Sequence, residues 1–476
     1  MKKHLRYMGL IAGLLLLPGC GLLNTTYEQP KLDMPAGWTQ IASTADTPVT
    51  SAPAATTGSS IADHWWENFN DPALDALVEK ALARNNDLTA AGWRLRQAQL
   101  QADLAENDLF PVLGSSGDAS VTRQFSGMKN TSHSYSIAGN LNYELDLWGR
   151  ISTLRDAADW EAKATEEDRQ ATALTLIGSV MTLYWQTGYL NWRIELGEQS
   201  IAYAQTTLDL VKVQYGAGAS SSLELNQAMQ NLAAQQASQT QLIQQRQETY
   251  TALAILFDGP PEIIEADPQT IPEGPLPIVE AGLPAQLLER RPDVSAAELR
   301  LRETLSNSDA TKLSFFPTIS LTGSLGSSSI ALTDVMKNPF GTLGAGIVLP
   351  FLEINKMQLE IKVSKAQYQE AVVNYRQTLY AALKDVEDAL SARTQFAAQG
   401  ALLQAALDAA RNAERINELR YRTGAVTLKD WLDAQEIRRQ AEIALAENRF
   451  NRLANHVTLY QALGGDTAPL KLAAVK

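Results

Sequence analysis

The sequence has very few of the residues that build disulfides and metal sites. One cysteine in 476 residues excludes an intrachain disulfide and any cysteine-built zinc cluster. The four histidines stand far apart, at positions 4, 64, 133 and 456, so a histidine-built metal site is not expected. No nucleophile and base stand together in a recognisable motif. The sequence therefore predicts neither a cofactor nor an enzyme.

Basic residues are outnumbered by acidic ones. The chain carries 40 Lys and Arg against 53 Asp and Glu, a net charge of -13. A nucleic-acid partner is not expected, because binding to phosphates needs a basic surface.

Long hydrophobic runs are also missing, apart from one at the N-terminus. The run Met8 to Leu17 is too short to cross a bilayer, and it follows a basic stretch, so residues 1–19 have the pattern of a secretory signal peptide. It ends in Leu17-Pro18-Gly19-Cys20, which resembles a bacterial lipobox with Cys20 as the acylated residue. Gly21 stands where an aspartate would resemble an inner-membrane retention signal, so the outer membrane is the predicted location. The alternative is ordinary cleavage that leaves a free thiol.

Proline is absent from two long stretches of the chain. All nineteen prolines lie outside 112–259 and 351–468, and eight of them lie between 260 and 292. Because proline breaks helix interiors, the two stretches can hold very long helices, and the cluster between them predicts an irregular connector.

The two halves of the chain resemble each other at a constant offset of about 206 residues. Phe110-Pro111 corresponds to Phe316-Pro317, Tyr215 with Gly218 to Tyr421 with Gly424, and Gly259 to Gly465. A repeat of this length indicates a duplicated domain.

Each half contains a segment in which apolar and polar residues alternate. The clearest is on the second strand of a hairpin predicted at 111–148, and a second hairpin is predicted at 317–352. The apolar positions of that strand are Tyr135, Ile137, Leu141, Tyr143, Leu145 and Leu147. Alternation of this length indicates strands with one apolar and one polar face. It suits a transmembrane β-barrel, although a half-buried soluble sheet alternates in the same way.

Four strands are too few to close a barrel in lipid. The smallest bacterial barrels use about eight strands, and an open edge would leave backbone groups unpaired. Several copies of the chain must therefore share one barrel. A trimer would give twelve strands, and a dimer or tetramer is also physically possible.

Each hairpin is followed by a stretch with a 3.5-residue apolar period, which indicates supercoiled helices. In the first half this stretch runs from Leu176 to Tyr215, and a helix over 152–215 would extend roughly 95 Å. Further helical stretches are predicted at 72–108, 222–257, 284–312, 355–421 and 428–462. A soluble coiled-coil rod is the alternative to a membrane barrel extended by a helical tube.

Four motifs resemble the TolC/OprM family, the outer-membrane factors of tripartite efflux pumps. They are Trp65-Trp66-Glu67-Asn68-Phe69-Asn70-Asp71-Pro72, Leu288-Glu289-Arg290-Arg291-Pro292-Asp293-Val294, Phe315-Phe316-Pro317-Thr318-Ile319-Ser320-Leu321 and Tyr421-Arg422-Thr423-Gly424. The resemblance implies an α+β membrane protein, a homotrimer with a twelve-stranded barrel, a long periplasmic α-helical barrel and a mixed equatorial domain. It also implies a periplasmic adaptor protein and an inner-membrane transporter, most often of the proton-driven RND type.

This resemblance divides the chain as follows: signal peptide 1–19, lipidated and equatorial segment 20–70, first repeat 71–258, equatorial connector 259–283, second repeat 284–463 and equatorial tail 464–476. The implied function is a passive exit duct for drugs or other small toxic solutes. Ducts for heavy-metal export or type I protein secretion are the alternatives. Trp65 and Trp66 are interpreted as packing rather than a drug site.

The resemblance also implies a gate where the chain turns, near 216–222 and 424–427. Its candidate residues are Asp430, Asp433, Glu224 and Tyr421, and the candidate adaptor-contact residues are Tyr215, Gly218 and Gly424. Val426 departs from the family, since some members place a basic residue there. Asp430 and Glu224 also fit capping boxes with Thr427 and Ser221, so the gate and the cap remain alternative roles. Tyr215 and Tyr421 could equally serve as packing residues.

Overall fold

The computed structural model describes residues 24–39, 64–126, 131–260, 267–277, 279, 284 and 290–465. Cys20 and the signal peptide lie outside these residues. The chain forms two compact units. The first, the strand unit, contains Arg94–Glu166 and Ala296–Gln377 together with the segment up to Leu32. The second, the helix unit, contains Asp33–Trp93, Glu167–Ser295 and the chain from Thr378 onward.

Seven α-helices dominate the described chain. They are α1 Pro72–Arg84, α2 Asn86–Asn107, α3 Arg150–Gly216, α4 Ser222–Ala254, α5 Pro292–Leu313, α6 Ile354–Arg422 and α7 Leu428–Ala462. Helices α3 and α6 contain 67 and 69 residues, as the two proline-free stretches allow. None of the described helices combines the length and apolar character needed to cross a lipid bilayer.

The helical stretch predicted at 72–108 is two helices rather than one. Asn85 separates α1 from α2 with an extended backbone, at φ -63° and ψ 131°. Its side-chain oxygen accepts a hydrogen bond from the Leu88 N–H at 2.9 Å, and its amide nitrogen donates to the Leu256 carbonyl at 3.2 Å. Asn85 thus caps α2 and ties it to the end of α4, which stabilises the break without a proline or glycine.

The strand unit contains one four-stranded antiparallel sheet. Its strands are β1 Val112–Arg123, β2 Thr131–Leu145, β3 Thr318–Ser329 and β4 Pro339–Val348, in the order β1-β2-β3-β4. Strands β1 and β4 are therefore the outer strands.

The strand register places the apolar residues on one face of the sheet. One row across the four strands is Leu113, Leu141, Gly323 and Leu343, and the row beside it on the opposite face is Gly114, Asn140, Ser324 and Thr342. Leu113 is 77% exposed and Leu343 is 94% exposed. The apolar face is thus uncovered in the single chain, which is unfavourable in water.

A segment at the N-terminal end of the described chain lies against α5 in the strand unit. The Thr25 backbone N–H and hydroxyl donate to the two Asp309 carboxylate oxygens at 2.6 and 2.8 Å. Asp309 is only 2% exposed and also accepts from the Lys312 ammonium at 2.7 Å. These charge-assisted bonds fix the chain five residues after Cys20.

Aromatic side chains form the centre of the helix unit. Trp65 and Trp66 are each 1% exposed, and Trp65 stacks on Tyr460 of α7 with ring centroids 4.6 Å apart. The interpretation of these tryptophans as packing residues agrees with their burial.

Candidate gate at the helical turns

Two turns of the helix unit, between α3 and α4 and between α6 and α7, have the same backbone geometry. Gly218 and Gly424 have φ values of 73° and 75°, a conformation that costs glycine little. After Gly218, the Ala219 N–H donates to the Gln214 carbonyl at 2.8 Å. After Gly424, the Ala425 N–H donates to the Arg420 carbonyl at 2.8 Å. Both are Schellman ends, so the 206-residue repeat extends to the hydrogen bonds of the turns.

Capping boxes begin both of the following helices. The Glu224 carboxylate accepts from the Ser221 N–H at 2.9 Å and from the Ser220 hydroxyl at 2.7 Å. The Asp430 carboxylate accepts from the Thr427 N–H at 2.9 Å and from its hydroxyl at 2.6 Å. These hydrogen bonds lower the pKa of both carboxyl groups. Both residues are therefore the N3 members of capping boxes, and both carry their negative charge at neutral pH.

Tyr421 joins the two turns. Its hydroxyl donates to the Gln214 side-chain oxygen at 3.1 Å, and its ring stacks on Trp431 with centroids 5.1 Å apart. Burial, and then the charge of nearby Glu224, raise the pKa of the Tyr421 hydroxyl. Tyr215, its counterpart in the first repeat, is 47% exposed. The two tyrosines are therefore equivalent in sequence position but not in environment.

Asp430 and Asp433 line one depression of about 400 Å³. Asn417, Arg420 and Val426 lie on its other sides. Asp433 forms an ion pair with Lys429, one helical turn earlier. The depression thus places two carboxylates beside one basic side chain, that of Arg420, and Val426 contributes only an apolar surface.

Three residues of this arrangement, Lys429, Gln214 and Trp431, were not predicted from the sequence. Lys429 could have been found from its i,i+4 spacing to Asp433, which favours an ion pair on a helix. Gln214 and Trp431 carry no such signal, because their contacts with Tyr421 join different helices. Leu225 occupies the position of Trp431 in the first repeat, so the repeat does not reveal the aromatic stack either.

The chain resembles efflux proteins in sequence over nearly its whole length. The profile of the outer membrane efflux protein family matches residues 77–257 and 283–465. The pyoverdine export outer membrane protein OpmQ of Pseudomonas putida is 33% identical over 442 residues, covering 90% of this chain and 92% of that protein. The toluene efflux pump outer membrane protein TtgC, from another strain of Pseudomonas putida, is 31% identical, covering 98% and 96%.

Solved structures agree with this relationship. The outer-membrane channel OprN has a TM-score of 0.81 at 27% identity, over 93% of this chain and 99% of that one. The open state of the Neisseria gonorrhoeae MtrE outer membrane channel has a TM-score of 0.77 at 27% identity, over 95% and 99%. The predicted fold class of a β-barrel continued by a helical barrel, the outer-membrane location and the efflux role are thereby confirmed, whereas the trimer and the lipid anchor stay predictions. The chain belongs to the outer membrane efflux protein family.

Proposed function

We propose that this protein forms a homotrimeric exit duct of a tripartite efflux system, gated at the two helical turns. The observation that carries the proposal is the four-stranded sheet, one face of which is apolar and uncovered, and whose outer strands are β1 and β4. Because adjacent strands of the sheet are antiparallel, β4 of one chain and β1 of another copy have opposite directions and can pair. Three copies would close a ring of twelve strands, within the range of known outer-membrane barrels.

The cargo is small organic solutes that reach the duct from the periplasm. Relatives named for the export of pyoverdine and of toluene support this class over metal ions or secreted proteins. A periplasmic adaptor and an inner-membrane transporter of the RND type would supply the cargo and the energy. The adaptor would contact the turns at Tyr215, Gly218 and Gly424, where glycine leaves the backbone accessible.

The N-terminal and connecting segments have supporting roles in this proposal. Acylated Cys20 tethers the chain to the outer membrane, and the bonds between Thr25 and Asp309 hold the segment that follows it. Residues 20–70, 259–283 and 464–476, which the structure describes only in part, would build the equatorial domain that the family resemblance implies.

The gate consists of Asp430, Asp433, Glu224 and Tyr421. Three symmetry copies of each carboxylate would form rings that attract cations and repel one another. The capping hydrogen bonds lower the pKa of Asp430 and Glu224, so these rings would remain charged at neutral pH. Capping and gating are compatible, because the same carboxylate can accept its capping bonds and still present its charge.

Bilayer conductance tests the gate. Asp430→Asn combined with Asp433→Asn removes the charges while leaving side-chain oxygens that accept hydrogen bonds. We expect block of the closed duct by multivalent cations to weaken severalfold. The matched control, Thr427→Ala, removes the cap hydroxyl and keeps both charges, so it should retain the block while destabilising the start of α7 by about 1 kcal/mol. Unchanged block in the double variant would remove both carboxylates from the gate.

A further inference from the structure

Three glycines in the long helices of the helix unit each face an amide side chain from a neighbouring helix. Gly197 of α3 faces Gln239 of α4, Gly178 of α3 faces Gln461 of α7, and Gly400 of α6 faces Asn448 of α7. A Cβ at Gly178 or Gly197 would overlap the opposing amide, and one at Gly400 would lie 2.8 Å from the Asn448 side-chain oxygen. The glycines thus provide the space that the amides occupy.

Each amide nitrogen donates to a helix carbonyl that lies one turn before the glycine. Gln239 donates to the Ile194 carbonyl, Gln461 to the Leu174 carbonyl and Asn448 to the Phe396 carbonyl, each at 3.1 Å. A side chain on a helix covers the turn on its N-terminal side, so a glycine leaves the carbonyl three or four residues earlier open to a second donor. The three contacts share this combination of a glycine, an opposing amide and a carbonyl acceptor one turn earlier, and we call them amide–glycine contacts.

The three contacts connect the four long helices in series, as α4 to α3, α3 to α7 and α7 to α6. Helices α3 and α4 form one helical hairpin, and α6 and α7 form another. Within each helical hairpin the turn already fixes one end of the helix pair. A second fixed point about twenty residues away also fixes how far the two helices twist around each other. Between the hairpins, the contact of Gln461 with α3 opposes sliding of one pair along the other.

Stability alone does not explain two of these amides, Gln239 and Asn448. Gln239 and Asn448 are 8% and 3% exposed, and among the described residues neither of their side-chain oxygens has a hydrogen-bond partner. A buried acceptor without a partner costs free energy, so an apolar side chain of similar size would pack at least as well. The duplication does not explain them either, since Leu403, Ile194 and Lys384 occupy the positions that correspond to Gly197, Gly400 and Gly178.

We propose that the three amide–glycine contacts set the axial register and twist of the four long helices, so that Tyr421 reaches Gln214 at the turns. A seam of apolar side chains repeats every seven residues and therefore tolerates a slip by one repeat, whereas a single buried amide fits one register. Gln239, Gln461 and Asn448 are positioning residues. The consequence for the gate rests on the proposed function, but the register itself does not.

Cross-linking between the turns measures this register. In the full chain, Gln214→Cys with Tyr421→Cys provides two thiols that a short bismaleimide joins when α3 and α6 are in register. The test variants are Gln461→Met and Asn448→Leu, which keep the side-chain volume and remove the donor. We expect each to lower the cross-linking yield severalfold. The thermal midpoint of Asn448→Leu should stay the same or rise, because the buried Asn448 side-chain oxygen has no hydrogen-bond partner among the described residues.

The matched control is Gly216→Ala, because a Cβ there meets nothing within 4 Å and the yield should not change. A fall in thermal midpoint with an unchanged yield in both test variants would make the amides simple packing residues and overturn the proposal. The cross-link forms whether or not the protein conducts solutes. An unchanged cross-linking yield would therefore contradict the proposed register and would say nothing against the proposed function. A second measurement compares the thermal midpoints of Gly197→Ala, Gln239→Ala and the double variant. The effects of the two single substitutions should not add in the double variant, because each removes the same contact.

Discussion

At the scale of single residues, His456 is the most perturbed basic group among the described residues. It is 3% exposed, and the rings of Phe69 and Tyr460 lie 5.8 and 5.5 Å from its own. Burial lowers the pKa of His456 to about 4, and the charges of Arg393 and Arg452 act in the same direction. A hydrogen bond to the Pro277 backbone opposes these effects. The imidazole is therefore neutral in the folded protein at neutral pH.

This shift predicts a loss of stability in mild acid. Histidine in the unfolded chain titrates near pH 6.5, so between about pH 6.5 and pH 4 the unfolded state binds the proton more readily. The contribution of neutral His456 to the free energy of unfolding is complete above pH 6.5. It is lost as the pH falls toward 4, by about 3 kcal/mol in total. Urea unfolding of the detergent-solubilised protein at several pH values measures this loss. His456→Gln should have a flatter profile, and an identical profile would contradict the prediction.

At the scale of elements, Arg291 joins the beginning of α5 to two other helices. Its guanidinium contacts the Asp293 carboxylate at 2.7 Å, the Asp385 carboxylate of α6 at 3.2 Å and the Ala462 carbonyl at the end of α7 at 3.3 Å. The Arg291 side chain is only 12% exposed. A planar guanidinium can make these contacts together, whereas a lysine ammonium cannot match their geometry.

We therefore expect Arg291→Lys to destabilise the protein by about 2 kcal/mol, the scale of a lost hydrogen bond to a charged group. Lys384→Gln is the matched control. It breaks the pair between Lys384 and Asp388, whose side chains are 70% and 67% exposed, so solvent screening should leave the free energy of unfolding almost unchanged. Urea midpoints at neutral pH compare the two variants. Equal destabilisation by Arg291→Lys and Lys384→Gln would contradict a special role for Arg291.

At the scale of the whole molecule, we expect assembly of the proposed trimer to depend on the apolar face of the sheet. Leu343 and Thr342 are neighbours on β4 and lie on opposite faces. Leu343→Arg would place a charge against lipid, at about 2–4 kcal/mol near the middle of the bilayer, whereas Thr342→Arg would face the lumen. If the proposed trimer forms, particle mass in detergent should correspond to three chains, each of 51.9 kDa before any processing, for Thr342→Arg, and far fewer such particles should form for Leu343→Arg. Equal yields would argue against contact of this face with lipid.

The parts of this fold that could be predicted from the sequence are those set by local patterns of residues. The missing prolines and the heptad period give α3 as 152–215, and the structure has Arg150–Gly216. The break at Asn85 has a local signal, because asparagine is a preferred N-cap residue, but its bond to the Leu256 carbonyl, 171 residues away, could not be predicted. The sequence shows Gly197 as an interruption of the heptad series, but it does not show that Gln239 fills the space. In the gate, the glycines and caps are local patterns, whereas the contacts of Tyr421 with Gln214 and Trp431 require the folded chain.

The two outer strands have a consequence for cells that make both normal and defective copies of this protein. In the proposed trimer each copy contributes both β1 and β4, so every copy is needed at two junctions between subunits. One subunit with a defective outer strand would therefore prevent closure of a trimer whose other two subunits are normal. Most randomly mixed assemblies would include at least one damaged subunit, so such a mutation should be dominant over the normal gene.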